Sequence, residues 1–344
     1  MLKNQTWKVP EYSKGEINRA GDTIRNLEST KDEIERATDV IDNWRASHAY
    51  PLHVMYMHLR KLAKPNMLVV ERLKRLDSII NKLKRTPGME LWRMQDLGGC
   101  RCILPSVDEV YNFSEKYRKS RIRHEFKRSY DYIKEPKSSG YRSLHLVYKF
   151  YSDKKETYNR NMLIELQFRT HLQHIWATAL ETMGIFTMQN LKASQGEEYI
   201  KRFFVLVSSL FALEENCPVV PGTVNDKAEL VSEIESINAR YNVIDTLSAI
   251  NVFSNYTREV ELKKSGYYML ILNFNTRRLS IKYFMPSEID SANDIYAQIE
   301  KTRAENKIDA VLVRAESFID LKKAYPNYFA DIGEFIERVS NYLK

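Results

Sequence analysis

Two carboxylates in the sequence sit where an acid needs a reason. Asp96 lies just before the apolar stretch GGCRCIL at 98–104, with Leu97 between, and Glu165 lies inside LIELQFRT, between Ile164 and Leu166. If both stretches are strands, Glu165 faces away from its apolar neighbours. Two acids on one face of a sheet, together with substrate phosphates, are enough to hold Mg2+. An ion pair of Glu165 with Arg169 or a lysine is the plainer alternative, and these residues alone leave both open. Arg72, Lys74, Ser78 and Lys82 form a second set. Read as one helix, Arg72 and Lys82 fall broadly near one side, and such a face could clamp a triphosphate and spread its charge during transfer. A solvated charged face is the alternative. The third set is YDYIKEPKSSGYRSLH at 130–145. Pro136, Ser138, Ser139 and Gly140 mark a loop. Its tyrosines offer faces to a base, and Lys134, Lys137 and Arg142 offer charge to phosphates. An ordinary surface loop has the same turn composition.

The rest of the 344 residues must position these sets. Hydrophobic residues make up 43% and charged residues 28%, which suits a packed core in a soluble chain. No apolar run is long enough to span a bilayer, and the first residues hold no apolar signal core, so a cytoplasmic protein is expected. Cys100, Cys102 and Cys217 show no metal-binding spacing, and the seven histidines are scattered. A net charge of +8 favours a polyanionic ligand, nucleotide or RNA, and fits a merely basic soluble protein as well.

Apolar spacing predicts helices over 14–46, 53–63 and 69–85, with Pro51 breaking the first run. The period then changes. Strands are predicted at 98–104, 121–133, 143–152 and 161–170, and helices at 106–120, 171–186 and 197–215. Ser106 followed by Glu109 is a capping-box pattern. Pro218, Pro221 and Gly222 mark a break in composition. Beyond it the pattern gives a helix over 226–256, a β-hairpin over 267–285 turning at 275–278, a helix over 288–304 and a strand over 309–315. Helices at 317–329 and 330–344 end the chain. The expected organisation is an N-terminal helical region (1–64), a central domain (65–225) and a C-terminal domain (226–344).

The succession of motifs is more specific than its parts. R-x-K-x-x-x-S-I-I-x-K-L (72–83), RMQDLGGCR (93–101), Y-I-x-x-P-K-x-x-G-Y-R-S-L-H (132–145) and ELQFRT (165–170) follow one another. Over about 65–185 the chain resembles the synthetase domain of the RelA/SpoT alarmone synthetases. The resemblance implies an α+β, nucleotidyltransferase-like fold, a mixed sheet with flanking helices. It implies transfer of pyrophosphate from ATP to a 3′-hydroxyl, with release of AMP. Asp96 and Glu165 would then hold Mg2+, and Glu165 would help take the proton of the attacking hydroxyl. Arg72, Lys74, Ser78, Lys82 and Arg101 would bind ATP. Tyr141 would stack on the acceptor base, with Lys137, His145, Gln167 and Arg169 lining the acceptor side. Two departures stand out. Ser139 occupies a position where the guanine-nucleotide enzymes commonly carry Asn, and no His-Asp motif of the hydrolase type is visible, so product hydrolysis is not expected.

Residues 325–328 read Tyr-Pro-Asn-Tyr, a YxxY motif. A synthetase domain followed by a small α+β module ending in YxxY resembles the CapRel group of fused toxin–antitoxin proteins. That resemblance implies modification of the tRNA 3′ CCA end and arrest of translation in anti-phage defence. It also implies that a pseudo-zinc-finger-like C-terminal module holds Tyr325 and Tyr328 against the ATP site until a phage protein, such as a major capsid protein, binds. Residues 226–344 contain no Cys or His, which suits such a fold without zinc. In a chain with 21 tyrosines, core packing is the alternative for the pair. A stand-alone synthetase of (p)ppGpp or (pp)pApp is the second expectation, and a binding protein with an inactive synthetase domain the third. The basic stretch Arg118, Lys119, Arg121, Arg123, Lys127 and Arg128 offers phosphate contacts to an RNA acceptor.

Overall fold

A computed structural model of the chain describes residues 7–187, 191, 196–252, 265–273, 278–306, 308–329 and 331–344. The helices are α1 Lys14–Arg25, α2 Lys31–Ser47, α3 Ala49–Leu62, α4 Leu76–Arg85, α5 Val107–Arg118, α6 His171–Phe186, α7 Glu198–Glu214, α8 Lys227–Tyr241, α9 Val243–Val252, α10 Ile289–Asn306, α11 Phe318–Ala324 and α12 Gly333–Tyr342. The strands are β1 Leu68–Leu73, β2 Gly98–Leu104, β3 Glu125–Asp131, β4 Leu144–Lys149, β5 Leu163–Thr170, β6 Gly266–Asn273, β7 Arg278–Phe284 and β8 Ile308–Ala315. They form one mixed sheet in the order β3-β4-β5-β2-β1-β8-β6-β7. β2 and β5 run parallel, and the other neighbours antiparallel. The α+β expectation, a mixed sheet with flanking helices, describes this architecture.

Strand alternation sorts the two faces. Val69, Cys100, Cys102, Leu144, Leu146, Ile164 and Leu166 join α1–α5 and α10 in one core. The opposite face is partly covered by the apolar bundle of α6, α7, α8, α9 and α12, and by α11 over β1, β8 and β6.

Several local expectations change. The run over 14–46 is two helices because Ser13 and Thr30 each begin a capping box, with Glu16 and Glu33 reaching back. Leu27, within the span predicted as helix, is 98% exposed in the link between them. Pro51 does not break a helix; it sits in the first turn of α3, where few backbone bonds are lost. The predicted helix over 69–85 is β1 followed by α4. Its apolar residues satisfy helical spacing, but Val69 and Val70 are β-branched, and β1 is held on both sides by β2 and β8. Arg72 therefore projects from a strand and Lys74 from the link, and only Ser78 and Lys82 stand on a helix. The helix over 226–256 stops at Asn242, whose φ of 51° is left-handed, and α9 follows. The 267–285 hairpin is present as β6 and β7; residues 274–277 of its expected turn lie outside the described residues.

The described strands of residues 226–344 belong to this same sheet. β8 joins β1 through Glu71↔Arg314 and Arg72↔Val313, and β6 and β7 continue outward. The seam is reinforced by side chains. Arg75 Nη1 donates to Asp309 Oδ2 at 2.6 Å, and Tyr56 Oη donates to Glu316 at 2.8 Å. No described helix is long and apolar enough to cross a membrane.

Candidate active site

Register brings these residues together from five strands. Arg72 on β1 is opposite Gly99 on β2, Gly99 opposite Glu165 on β5, and Arg101 opposite Gln167. Gln167 is opposite His145 on β4, and His145 opposite Tyr130 on β3. Paired residues share a face, so one side of the sheet carries this whole set. A cavity of about 40 Å³ there is lined by Arg72, Lys74, Asp96, Gly99, Arg101, Glu165, Gln167 and Tyr325.

Asp96 receives two ammonium groups, Lys74 at 2.8 Å and Lys82 at 3.0 Å. Burial works against its charge, but the two lysines outweigh burial and hold the carboxyl below its ordinary range. Glu165 accepts from His145 Nδ1 at 2.9 Å and from Gln167 Nε2 at 2.6 Å. Burial raises the Glu165 carboxyl, His145 opposes it, and the net direction is down. His145 is itself disfavoured as a cation by burial, yet Tyr141 and Glu165 raise it to about 9. Near neutral pH it is therefore an imidazolium, donating from Nδ1 to Glu165 and from Nε2 to Tyr141 Oη at 3.0 Å. Two hard oxygen donors facing one cavity fit Mg2+, which keeps waters and takes phosphate oxygens. Among the described residues no group of three or more His, Cys, Asp or Glu is assembled for a metal.

The His145 pairing predicts a pH effect. The folded chain holds the proton to about 9, against an ordinary 6.5. Its stabilisation is complete below pH 6.5, declines as pH rises and is gone above about 9. A thermal-melting series should lose roughly 2–3 kcal/mol of stability across that window, and His145→Gln should flatten the decline. An unchanged decline in the variant would assign it to other groups.

The loop between β3 and β4 is anchored from α7. Gly140 has φ +87°, and a Cβ there would lie 2.9 Å from both Ser208 Cβ and Trp176 Cζ2. Ser208 Oγ donates to the Gly140 carbonyl at 2.6 Å. Arg142, counted above among the phosphate-facing cations, is buried instead: it donates to the carbonyls of Ile133 and Pro218 and to Ser208 Oγ. Its role is to shape the loop. Lys137 Nζ lies 5.3 Å from the Tyr141 ring centroid and 4.3 Å from that of Tyr132. Ser78 stands half-buried on α4, outside the cavity lining.

Both YxxY tyrosines are buried here. Tyr325 is 2% exposed and lines the cavity, with the Arg101 guanidinium 5.6 Å from its ring centroid. Arg101 Nη1 also donates to the Ala324 carbonyl at 3.2 Å. Tyr328 accepts from Arg75 Nη1 at 3.1 Å. At the start of α4, which has no side-chain cap of its own, Leu76 N–H donates to Glu300 of α10 at 2.9 Å. A carboxylate thus sits at a helix N-terminus, the kind of place that attracts phosphate. Arg169 meets Nδ1 of His174, whose Nε2 donates to the Lys323 carbonyl at 2.7 Å. Burial, then Arg169, pushes His174 well below its ordinary value, so it bridges as a neutral ring. Arg75, His174 and Glu300 escaped the sequence reading. Arg75 and Asp309 are 234 residues apart, and no local pattern joins them.

Residues 71–186 match a family described as a region found in RelA / SpoT proteins. These residues are a RelA/SpoT region. Curated relatives include the GTP pyrophosphokinases YjbM and YwaC of Bacillus subtilis. The first is 36% identical over 118 residues, which are 33% of this chain and 54% of the relative. The second is 33% identical over 118 residues, covering 31% and 52%. The chain thus spans about half the length of the curated relatives it matches. Among solved structures, small alarmone synthetase 1 from Bacillus subtilis bound to pppGpp aligns at 22% identity, covering 57% of this chain and 95% of that one, with a TM-score of 0.42. The RelA/SpoT region contributes Arg72 through Arg169 to the site; Tyr325 enters the cavity from outside that region, while Tyr328 sits on Arg75 and does not line it.

Proposed function

We propose that the chain is an ATP-dependent pyrophosphokinase that modifies the 3′-hydroxyl of the tRNA CCA end and is held closed by its own residues 226–344. The observation that carries the reading is Tyr325, buried in the cavity that Asp96, Glu165, Arg72 and Arg101 share. Arginines and lysines converge there as a triphosphate requires, and a phenol occupies the space. Glu300 at the start of α4 and Asp309 on Arg75 supply carboxylates where phosphates are expected.

In the proposed reaction the acceptor 3′-oxygen bonds to the β-phosphorus of ATP. The bond from that phosphorus to the α,β-bridging oxygen breaks, and AMP leaves. Glu165, ionised and oriented by His145 and Gln167, accepts the hydroxyl proton. Tyr141 and Lys137 hold the terminal base. Arg72, Arg101, Lys74 and Lys82 offset the phosphate charge. Asp96 and Glu165 would hold Mg2+, which neutralises charge on the phosphates. Translation arrest during anti-phage defence follows from a blocked tRNA end, and a phage protein such as a major capsid protein is the proposed trigger.

A second reading has a specific observation in its favour. Both curated relatives are GTP pyrophosphokinases, which supports a free guanine nucleotide as acceptor, in a stand-alone alarmone synthetase. Incubation with γ-labelled ATP and either tRNA or GDP/GTP separates the two. Label on tRNA alone supports the first; label on nucleotide alone overturns it; no label in any opened variant favours an inactive binding protein.

A further inference from the structure

We propose that the exposed edge of the sheet is a track for single-stranded nucleic acid, seating the nucleotides that precede the reacting 3′ end. This rests on the reading that the acceptor is RNA. β3 is one of the two outermost strands of the sheet, and its residues 125–129 are exposed. Arg128 and Tyr130 alternate on the face that carries His145 and Glu165, because Arg128 pairs with Val147 and Tyr130 with His145. The chain then turns at Tyr132. The Tyr130 and Tyr132 rings are parallel within 2°, with centroids 5.9 Å apart. Tyr132 meets His145 edge-on at 5.2 Å and Tyr141 at 6.1 Å. A row of rings therefore runs from the sheet edge to the carboxylate that takes the proton. Two residues of strand advance about 6.7 Å, comparable to the reach of one extended nucleotide.

Charge follows the same row. In the basic stretch, Arg118 and Lys119 pair with Glu115, Arg123 with Asp153 and Lys127 with Glu125. Arg128, Lys134 and Lys137 make no ion pair among the described residues; Arg128 donates to Tyr130 Oη at 3.4 Å and Lys137 lies over Tyr132. Arg128 and Lys137 thus flank the rings, where a phosphodiester backbone would run, while Lys134 lies over the Tyr111 ring at 5.1 Å. Stacking faces with flanking cations are how proteins hold single strands without reading sequence. A mononucleotide fills only the Tyr141 end, whereas three or four nucleotides cover the row.

Fluorescence anisotropy on the full chain tests this with 5′-fluorescein-labelled CA and ACCA oligoribonucleotides. The tetranucleotide should bind about tenfold or more tightly than the dinucleotide, and Tyr130→Leu, which suits a strand, should remove most of that gain. Arg128→Gln should lower the salt slope by about 0.7. Melting curves verify folding of both variants. Equal binding of the two oligonucleotides by the native chain, or unchanged tetranucleotide binding by folded Tyr130→Leu, overturns the track. Binding is read without turnover. Label transfer to guanine nucleotide alone would overturn the acceptor reading and with it the track's place beside a reacting 3′ end, whereas tRNA labelling without length dependence would overturn the track alone.

Discussion

Tyr325→Ala should raise the affinity for ATP by about two orders of magnitude and convert a harmless chain into one that arrests growth. If the closed arrangement holds about 99 in 100 molecules, only about 1 in 100 is competent and the apparent affinity is reduced about 100-fold, a loss that removing the plug restores. The ring is 2% exposed and shares its cavity with Arg72, Lys74 and Arg101, so truncation vacates the space a triphosphate needs. Truncating a buried ring also costs about 3–5 kcal/mol of packing, and that loss falls on the closed state. Tyr325→Phe keeps the ring and should stay near the native affinity. Opening need not be complete, because Glu300 still accepts from the first turn of α4 and Asp309 still holds Arg75. Adding Glu300→Gln to Tyr325→Ala should therefore give a further gain. Titration calorimetry with a non-hydrolysable ATP analogue reads all three. Equal affinity for Tyr325→Ala and the native chain would remove autoinhibition from the reading.

The parts of this site that sequence made legible are those fixed by local pattern. Asp96 at the entrance to a glycine-led strand and Glu165 among alternating apolar residues are marked by local pattern, and both line one cavity. Lys74 and Lys82 were assigned to ATP, and here both bind Asp96. What stayed hidden depends on pairing between distant segments. The run from Val69 to Leu83 satisfies a helical period, and only contact with β2 and β8 makes its first part a strand. Asp309 and Glu300 look like ordinary surface acids until β8 and α10 bring them to Arg75 and Leu76. Arg142 looks like a ligand cation because burial under α7 cannot be read from its own loop.

Asp96→Asn carries the other large effect: pyrophosphate transfer should fall at least about 10²–10³-fold, the scale on which one preorganised charge-stabilising group acts. The carboxylate anchors two ammonium groups at 2.8 and 3.0 Å, so a neutral amide leaves Lys74 and Lys82 facing each other uncompensated. Their side chains are 19% and 30% exposed, so water relieves part of the repulsion and the loss of stability should be roughly 1–3 kcal/mol. The folded state depresses the Asp96 carboxyl, so its stabilisation is present above the ordinary 3.8 and is lost as pH falls below it. The acid limb of the native stability profile should accordingly flatten in Asp96→Asn. Activity and stability can then be separated with Lys82→Met in the Asp96→Asn background. Removing one of the two facing cations should recover melting temperature without recovering transfer, since the acid is still missing from the cavity it shares with Glu165. If the double variant regains transfer along with stability, Asp96 serves only to hold its lysines, and the magnesium-binding role assigned to the Asp96–Glu165 pair fails.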